Sequence, residues 1–546
     1  MDNIDRAIET KGYLTNNSVI LGKTWEDFSQ EVRSKNLILY GITQMTNYMW
    51  LRCNKNISIV AAIDNDSEKQ GCSLSEFFGE TDLNSAKDIK ISSKEILKQF
   101  DPKDIVILIS SIRYYEEIAA ELDKMNFRNY FSLLNLEYYY RENHSDFETQ
   151  ETYRSKYAQD IVKNYPVQNN KVVFYAIGGS YSDHGKYITE QLLSMNTNLE
   201  IVWIMNRKSN VPKNIRVVYS MNWKQYVYEM ETAKMWIFDC RVPIYLTKRE
   251  NQIYIQTKHW GSITLKDFYP TKSFDEDKKT WAVNGDWMDY VISGSEFDEN
   301  SCRRGFNFNG EFLRFGSPRS DAVFNHQKCK DKVCEQFEIN RDEHILLYAP
   351  TYRYHSGKRT VPSFTWQDLD FDILLKSLQT RWPGTWKIFV RLHTNVRSQS
   401  KQIVMPDYVL DASDYDDSQE LVSAADIMIS DFSSIMFEPA YVLKPVFLYA
   451  PDKDTYEDKD YDLLLDYDSL PFPISTSNEE LSSQIQNFDE NKYKQIVKAF
   501  LDNYGVNEDG HASERAAKFI IDYIMPTPRP KLRLPEELSE VENGSN

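Results

Sequence analysis

Four small polar residues, Ser430, Asp431, Ser433 and Ser434, stand at a break between two apolar runs, 427–429 and 446–448. At the start of a helix-like segment such residues have two uses. They cap the helix, their oxygens accepting from its free N–H groups. Alternatively, those N–H groups and the helix dipole hold an anion such as a phosphate. Other turns upstream carry cations. NQIYIQT runs into Lys258-His259-Trp260-Gly261, FLRFGSPRSD holds Gly316, Pro318, Arg319 and Asp321, HILLYAP leads to Tyr352, Arg353, His355, Lys358 and Arg359, and WKIFV leads to Arg391, His393 and Asn395. A neutral imidazole takes up protons near pH 7, and guanidinium forks match phosphate oxygens. In a chain of net charge −18, Arg353, Lys358, Arg391 and His393 gathered opposite Ser433 predict a pyrophosphate pocket. The competing account lets each cation cap its own sheet edge or pair with a carboxylate, and makes the His259 turn structural.

The elements that must position these residues are parallel crossovers. Residues 426–449 run strand, polar turn, helix, strand, and in such sheets ligands sit beyond the carboxyl ends of the strands. The same rhythm recurs at VVFYAIGGSYSDHGKYITEQLL with LEIVWIMN and KMWIFDC, and again near the N-terminus in NLILYG, ISIVAAIDND and DIVILIS. The N-terminal turn has only Gly41 where a dinucleotide fingerprint wants three glycines. Asp64 sits either where a ribose-binding acid would or in a plain Asp-Asn-Asp turn. Residues 1–36 predict a short helical lead-in, the tyrosine-rich 136–168 a helical linker, and the proline-rich, then acidic 526–546 an extended or disordered tail.

Bulk composition narrows the classes. With 546 residues, 41% hydrophobic and 14% aromatic, the chain can build about three cores. Its acidity argues against a nucleic-acid binder and against broad adsorption to an anionic membrane. No apolar run reaches the ~18 residues of a membrane span, and the first residues lack a signal peptide's basic and apolar regions, so the cytoplasm is the expected location. The six cysteines are scattered, as reduced thiols would be, and Cys329 and Cys334 beside His326 match no common zinc spacing.

Six ordered blocks, GGSYSDHGKYITEQL, NQIYIQTKHWGSITLK, FGSPRSDAVF, LLYAPTYR, VRLHTN and SDFSSIMFEPAYVLKPVFLY, resemble the CDP-glycerol glycerophosphotransferase family, the teichoic-acid and capsule polymerases of bacteria. The resemblance covers roughly 170–525. It implies an α/β fold, a GT-B-type pair of Rossmann-like domains, here preceded by a smaller Rossmann-like N-terminal domain. The expected division is 1–135 for that small domain, 136–168 for the linker, 169–310 for the acceptor-side lobe, 311–525 for the CDP-donor lobe and 526–546 for the tail. The implied reaction moves glycerol phosphate or ribitol phosphate from its CDP form to a growing polymer and releases CMP, with no tightly bound cofactor and Mg²⁺ at most accompanying the pyrophosphate. The implied acceptor is a lipid-linked polyol-phosphate or glycan chain, met in transient contact with the inner face of the membrane, with no nucleic acid involved. By block matching, His259 falls on the family's proposed base and His393 on the His of its Arg-x-His motif. Arg319, Ser433 and Ser434 fall in blocks lining the donor site, and Arg353, Arg391, Ser430 and Asp431, from the turns read above, join them as candidate donor-binding residues. Glu438 would reach the ribose hydroxyls or, alternatively, cap a helix or form a salt bridge. The sequence departs from the family at Lys258-His259-Trp260-Gly261, where Trp-His-Gly is usual, at Thr394, where Pro is usual, and at Tyr461-Asp462, where Arg-Gly is frequent. Two other readings remain: a GT-B glycosyltransferase using a nucleotide sugar, and a non-catalytic nucleotide-binding scaffold in a polymer-export complex.

Overall fold

The computed structural model describes residues 23–524, apart from 44, 47–48, 50–56, 68, 79–88, 112–113, 145–149, 268–274, 355–361, 364–368, 394–395, 398–399, 401–404 and 457–461. The expected tail, Lys358, His355 and Asn395 lie outside the described residues.

The apolar runs fold into three parallel sheets. β1 (Asn36–Tyr40), β2 (Ile59–Ile63), β3 (Ile91–Ser92), β4 (Ile105–Ile109) and β5 (Tyr130–Ser132) make the first, in the order β3-β2-β1-β4-β5. β6 (Gln168–Tyr175), β7 (Glu200–Met205), β8 (Arg216–Tyr219), β9 (Ala233–Phe238), β10 (Ile253–Gln256), β11 (Tyr290–Ile292) and β12 (Glu311–Leu313) make the second, in the order β12-β11-β10-β9-β6-β7-β8. A short antiparallel pair, β14 (Arg353–Tyr354) with β15 (Pro362–Ser363), stands beside the third. That sheet joins β13 (His344–Tyr348), β16 (Trp386–Val390), β17 (Val409–Asp411), β18 (Ile427–Ser430), β19 (Val446–Tyr449) and β20 (Ile474–Ser475) in the order β17-β16-β13-β18-β19-β20. Strands covered on both faces must be apolar on both, and β4, β9, β13 and β18 are buried along nearly their whole length.

Strand order reverses at β6/β9 in the second sheet and at β13/β18 in the third. At such points the two neighbouring crossovers leave in opposite directions and open a crevice at the carboxyl edge. The turns that matter for chemistry leave from these two edges.

Two boundaries differ from the sequence reading. β12 begins at Glu311 and completes the second sheet rather than opening the next unit. The helix Ala512–Ile524 returns to the second sheet, burying Ala516, Ala517 and Ile520 among Ile188, Ile237 and Ile255. The stretch expected as a linker is helical, Leu133–Asn143 and Gln150–Asn164, but Ala158 and Ile161 of its second helix enter the core under β6 and β9. The lead-in forms the helix Trp25–Ser34, closed at its start by a Thr24/Asp27 capping box.

In the first sheet Asp64 accepts from the Ile42 N–H at 2.8 Å and the Lys69 ammonium at 2.9 Å, so this carboxylate ties the βα turn together. At Gly41, φ is +79° and a Cβ would meet Ser111 at 2.7 Å, which leaves that side of the turn filled with protein. The module docks on the second sheet through Phe77 and Tyr219, 4.7 Å apart, with Met221 in its core.

Candidate functional site

His259 is displayed by the anchoring of its neighbours. Lys258 takes a left-handed backbone, φ +56°, its N–H bonded to Gln256 at 2.8 Å. Its ammonium lies 3.0 Å from Asp298, and both side chains are fully buried. The Trp260 indole N–H donates to the same carboxylate at 2.9 Å. One inward acid therefore holds the residues on both sides of His259, and the imidazole between them is left partly accessible.

The chain then crosses between the sheets. Ser262 N–H donates to the Tyr441 hydroxyl at 2.8 Å, and a Cβ at Gly261 would stand 2.6 Å from that oxygen. Ile263 and Leu265 enter the core of the third sheet's unit. Leu265 N–H donates to Ser434 Oγ at 3.0 Å, Leu464 N–H to the Leu265 carbonyl at 2.8 Å, and Asp267 N–H to the Asp462 carbonyl at 3.0 Å.

His393 comes from the other side. It follows β16, its ring 4.5 Å from that of Tyr352, and it is exposed. The protein packed around it and the charges of Lys266, His259 and Arg391 lower its protonation from the ordinary imidazole value. Burial likewise lowers His259 to about 4, helped by Arg319, Lys266 and Lys258 and opposed by a hydrogen bond to the Asp239 backbone. Lys266 thus acts on both imidazoles and His259 on His393, and each ring is lowered from its ordinary value, so that each is neutral at pH 7.

The expected cationic pocket needs correction. The Arg353 guanidinium holds Asp452 at 2.7 and 3.1 Å, Asp431 at 2.9 Å and the Thr351 carbonyl at 2.6 Å, lying over Phe432 and Tyr456. Arg391 donates to the carbonyls of Ala412 and Tyr415 at 3.0 and 2.6 Å. Ser430 Oγ donates to the Ala349 carbonyl at 2.8 Å, and Asp431 accepts from Thr351 N–H at 2.8 Å. Ser434 Oγ bonds the crossing chain, at Leu265 N–H and 3.2 Å from Thr264 Oγ1. These groups close the loops of the third sheet, because a buried donor or acceptor must find a partner. Ser433, partly exposed, starts only a one-turn 3₁₀ segment, Ser434–Met436, followed by Phe437–Ala440. Leu443 at φ +59° ends the helical path ahead of Lys444-Pro445. That is too short for the dipole-bearing helix expected from the sequence.

Arg319 and Glu438 are likewise internal. The Arg319 guanidinium donates to Asp183 at 2.7 Å and to the His259 carbonyl at 2.8 Å, and its Nε is 2.9 Å from Glu438, which is fully buried. Burial lifts Glu438 to about 7 against the pull of Arg319. Glu438 thus takes the salt-bridge alternative. Beside it, Lys186 pairs with Asp417 at 2.6 Å and Glu420 at 2.8 Å, and Tyr187 donates to Asp417 at 2.8 Å. The helix Asp183–Ser194 of the second unit is thereby fastened to the helix Ser418–Ala424 of the third.

Residues 157–522 match the family model described as CDP-Glycerol:Poly(glycerophosphate) glycerophosphotransferase. The chain belongs to this family. It is 28% identical over 365 residues to a teichoic acid poly(glycerol phosphate) polymerase of Staphylococcus epidermidis, covering 64% of this chain and 50% of that protein. It is 26% identical to a teichoic acid poly(ribitol-phosphate) polymerase of Bacillus spizizenii, covering 67% and 58%. The chain spans about half the length of the Staphylococcus epidermidis and Bacillus subtilis poly(glycerol phosphate) polymerases. Among solved structures, the wall teichoic acid polymerase TagF superposes with a TM-score of 0.60 at 26% identity, covering 76% of this chain and 98% of that one. A histidine variant of TagF was also solved after soaking with CDPG. The likeness fixes an α/β fold of parallel sheets.

Asp183, Asp239 and Lys266 escaped the sequence reading. Asp183 stands at φ +58° at the head of its helix, and an Asp so placed in SYSDHGK is a detectable oddity only once the backbone is known. Asp239 follows β9 at the switch point, where both carboxylate oxygens accept from Ile177 N–H at 2.8 Å. Among the described residues, no group of three or more His, Cys, Asp or Glu side chains is arranged to hold a metal ion.

Proposed function

We propose that the protein transfers a polyol phosphate, glycerol phosphate or ribitol phosphate, from its CDP-activated donor to a terminal hydroxyl of a polyol-phosphate polymer, releasing CMP. The observation that carries this reading is the pair of histidines, His259 after β10 of the second sheet and His393 after β16 of the third, near enough for the charge of His259 to lower the protonation of His393 and for Lys266 to act on both. In this reading the two units form a GT-B-type clamshell, the third sheet taking the nucleotide and the second the acceptor. Family relatives named for glycerol phosphate and for ribitol phosphate both support a polyol-phosphate substrate.

The acceptor oxygen attacks the donor's β-phosphorus while His259 removes its proton. The new bond is O–P, and the bond that breaks joins that phosphorus to the bridging oxygen of CMP, which leaves with the electron pair. A base held neutral at pH 7 is ready for this without a prior deprotonation. The hydrogen bond to the Asp239 backbone would fix the ring's orientation and leave the other nitrogen for the acceptor. His393, also neutral, would donate one hydrogen bond to the diphosphate rather than a full charge. Positioning and electrostatics carry most phosphoryl transfers, so no covalent enzyme intermediate is invoked. The acceptor is a lipid-linked chain met at the membrane surface; among the described residues no helix is long and apolar enough to cross a membrane.

The test is incubation of the purified protein with CDP-glycerol and with CDP-ribitol, each with polyol-phosphate primers, scored by CMP release and product length. UDP release from a nucleotide sugar would instead identify a glycosyltransferase. CMP binding without turnover would identify a scaffold.

A further inference from the structure

The crossing chain brings a residue to the cleft that neither sheet edge supplies. Leu265 is fully buried in the third unit's core, and Lys266 pairs with Leu463 in an antiparallel bridge. Successive side chains in extended chain point to opposite sides, so Lys266 leaves on the side away from that core. Its ammonium lies 5.7 Å from the centre of the Tyr352 ring, and that ring packs on His393. The bonds from Leu265, Leu464 and Asp267 fix the backbone on both sides of Lys266, which limits where the ammonium can go.

Lys266 also acts on both histidines, lowering His393 more than any other charge does and lowering His259 after Arg319. A single ammonium therefore stands within electrostatic reach of the two imidazoles at once.

We propose that Lys266 is a substrate-contacting residue whose ammonium binds the phosphoryl oxygens of the donor diphosphate between His259 and His393. This rests on the transferase reading above. A compact ammonium on a flexible stem suits a group whose charge moves from the β-phosphoryl to the leaving CMP as the bond breaks. Lys266 keeps its proton throughout; its part is to neutralise charge that two neutral imidazoles cannot. It also makes both histidines poor proton acceptors in the empty site, a penalty that a bound dianion would relieve.

The test uses the whole protein and the variants Lys266→Met and Lys266→Arg. Inorganic pyrophosphate, as a probe free of nucleotide and polyol, is titrated by calorimetry, and CMP release is measured across pH 4–8. Lys266→Met is expected to weaken pyrophosphate binding at least ~10-fold and to lower turnover ~10²–10³-fold. Its acid limb should move upward, because the charge that depresses the histidines is gone, and Lys266→Arg should restore part of the binding. Unchanged pyrophosphate affinity in Lys266→Met overturns the proposal, as does a wild-type protein that binds no pyrophosphate. An acid limb that stays in place while melting temperature falls also overturns it, because that pattern marks a structural residue. A wild-type protein that binds pyrophosphate through Lys266 but releases no CMP from either donor refutes the transferase reading and leaves the anion site standing.

Discussion

Arg319→Met separates two roles for one guanidinium: ligand of the donor, or internal strut. In the structure Arg319 is 5% exposed and serves Asp183, Glu438 and the His259 carbonyl together. Removing one member of a buried ion pair costs about 3–5 kcal/mol because the partner is left as an uncompensated charge. Here two carboxylates lose one cation, and both are already held above the usual carboxylate range by burial. Without Arg319 they would rise further and protonate rather than stay charged. An acid whose folded pKa is raised loses stability as pH climbs from its unfolded value towards its folded one, at about 1.4 kcal/mol per unit for each group. The deficit of Arg319→Met relative to wild type should therefore be small near pH 5, open for each acid only above its own wild-type pKa, about 7 for Glu438, and grow at about 1.4 kcal/mol per unit towards about 3–5 kcal/mol. Adding Glu438→Gln should recover part of it at pH 8 and little at pH 5. Urea denaturation of the three proteins at both pH values, with CMP titrated calorimetrically into each folded sample, tests this. The strut is refuted if Arg319→Met matches wild-type stability at pH 8 while CMP binding weakens 10-fold, since the guanidinium would then face the donor.

The other predictions need simpler measurements. His259→Ala should lower turnover ~10²–10⁴-fold while leaving donor affinity near wild type; steady-state rates and calorimetry check it, and near-normal turnover removes His259 from the base role. Because His259 is lowered to about 4, the acid limb of kcat/KM for the free enzyme should fall between pH 4 and 5, with the base active above it. A limb at the ordinary imidazole value near 6.5 would show that the ring is not desolvated in this way. Lys258→Met should destabilise by about 3–5 kcal/mol through the stranded Asp298, and Asp298→Asn in the same background should restore part of the loss in a denaturation series.

How far the sequence reached depended on how distant each residue's partner is. Parallel strands buried on both faces are apolar at nearly every position, so Ile105–Ile109, His344–Tyr348 and Ile427–Ser430 stand out of the chain with no tertiary knowledge. The cations at their carboxyl ends were equally visible, but the direction of each side chain was not. Arg353 turns to Asp452, 99 residues on, and Arg391 to carbonyls 21 and 24 residues away. An Arg carries five donors, and at the edge of a tightly closed sheet the nearest unsatisfied acceptors are the loop's own carbonyls and acids. Arginine at a strand end is therefore as apt to close the loop as to meet a ligand. His259 shows the converse. Its exposure follows from Lys258 and Trp260 turning inward to Asp298, so the accessible member of Lys-His-Trp is set by an acid 38 residues downstream of the tryptophan. Lys266 was hidden for the same reason, because only its pairing with Leu463 across the two units turns an ordinary surface-type lysine towards the cleft. Which side chain of such a turn stays accessible is thus decided by how its neighbours' buried donors and acceptors are matched, and that matching is a property of the assembled chain.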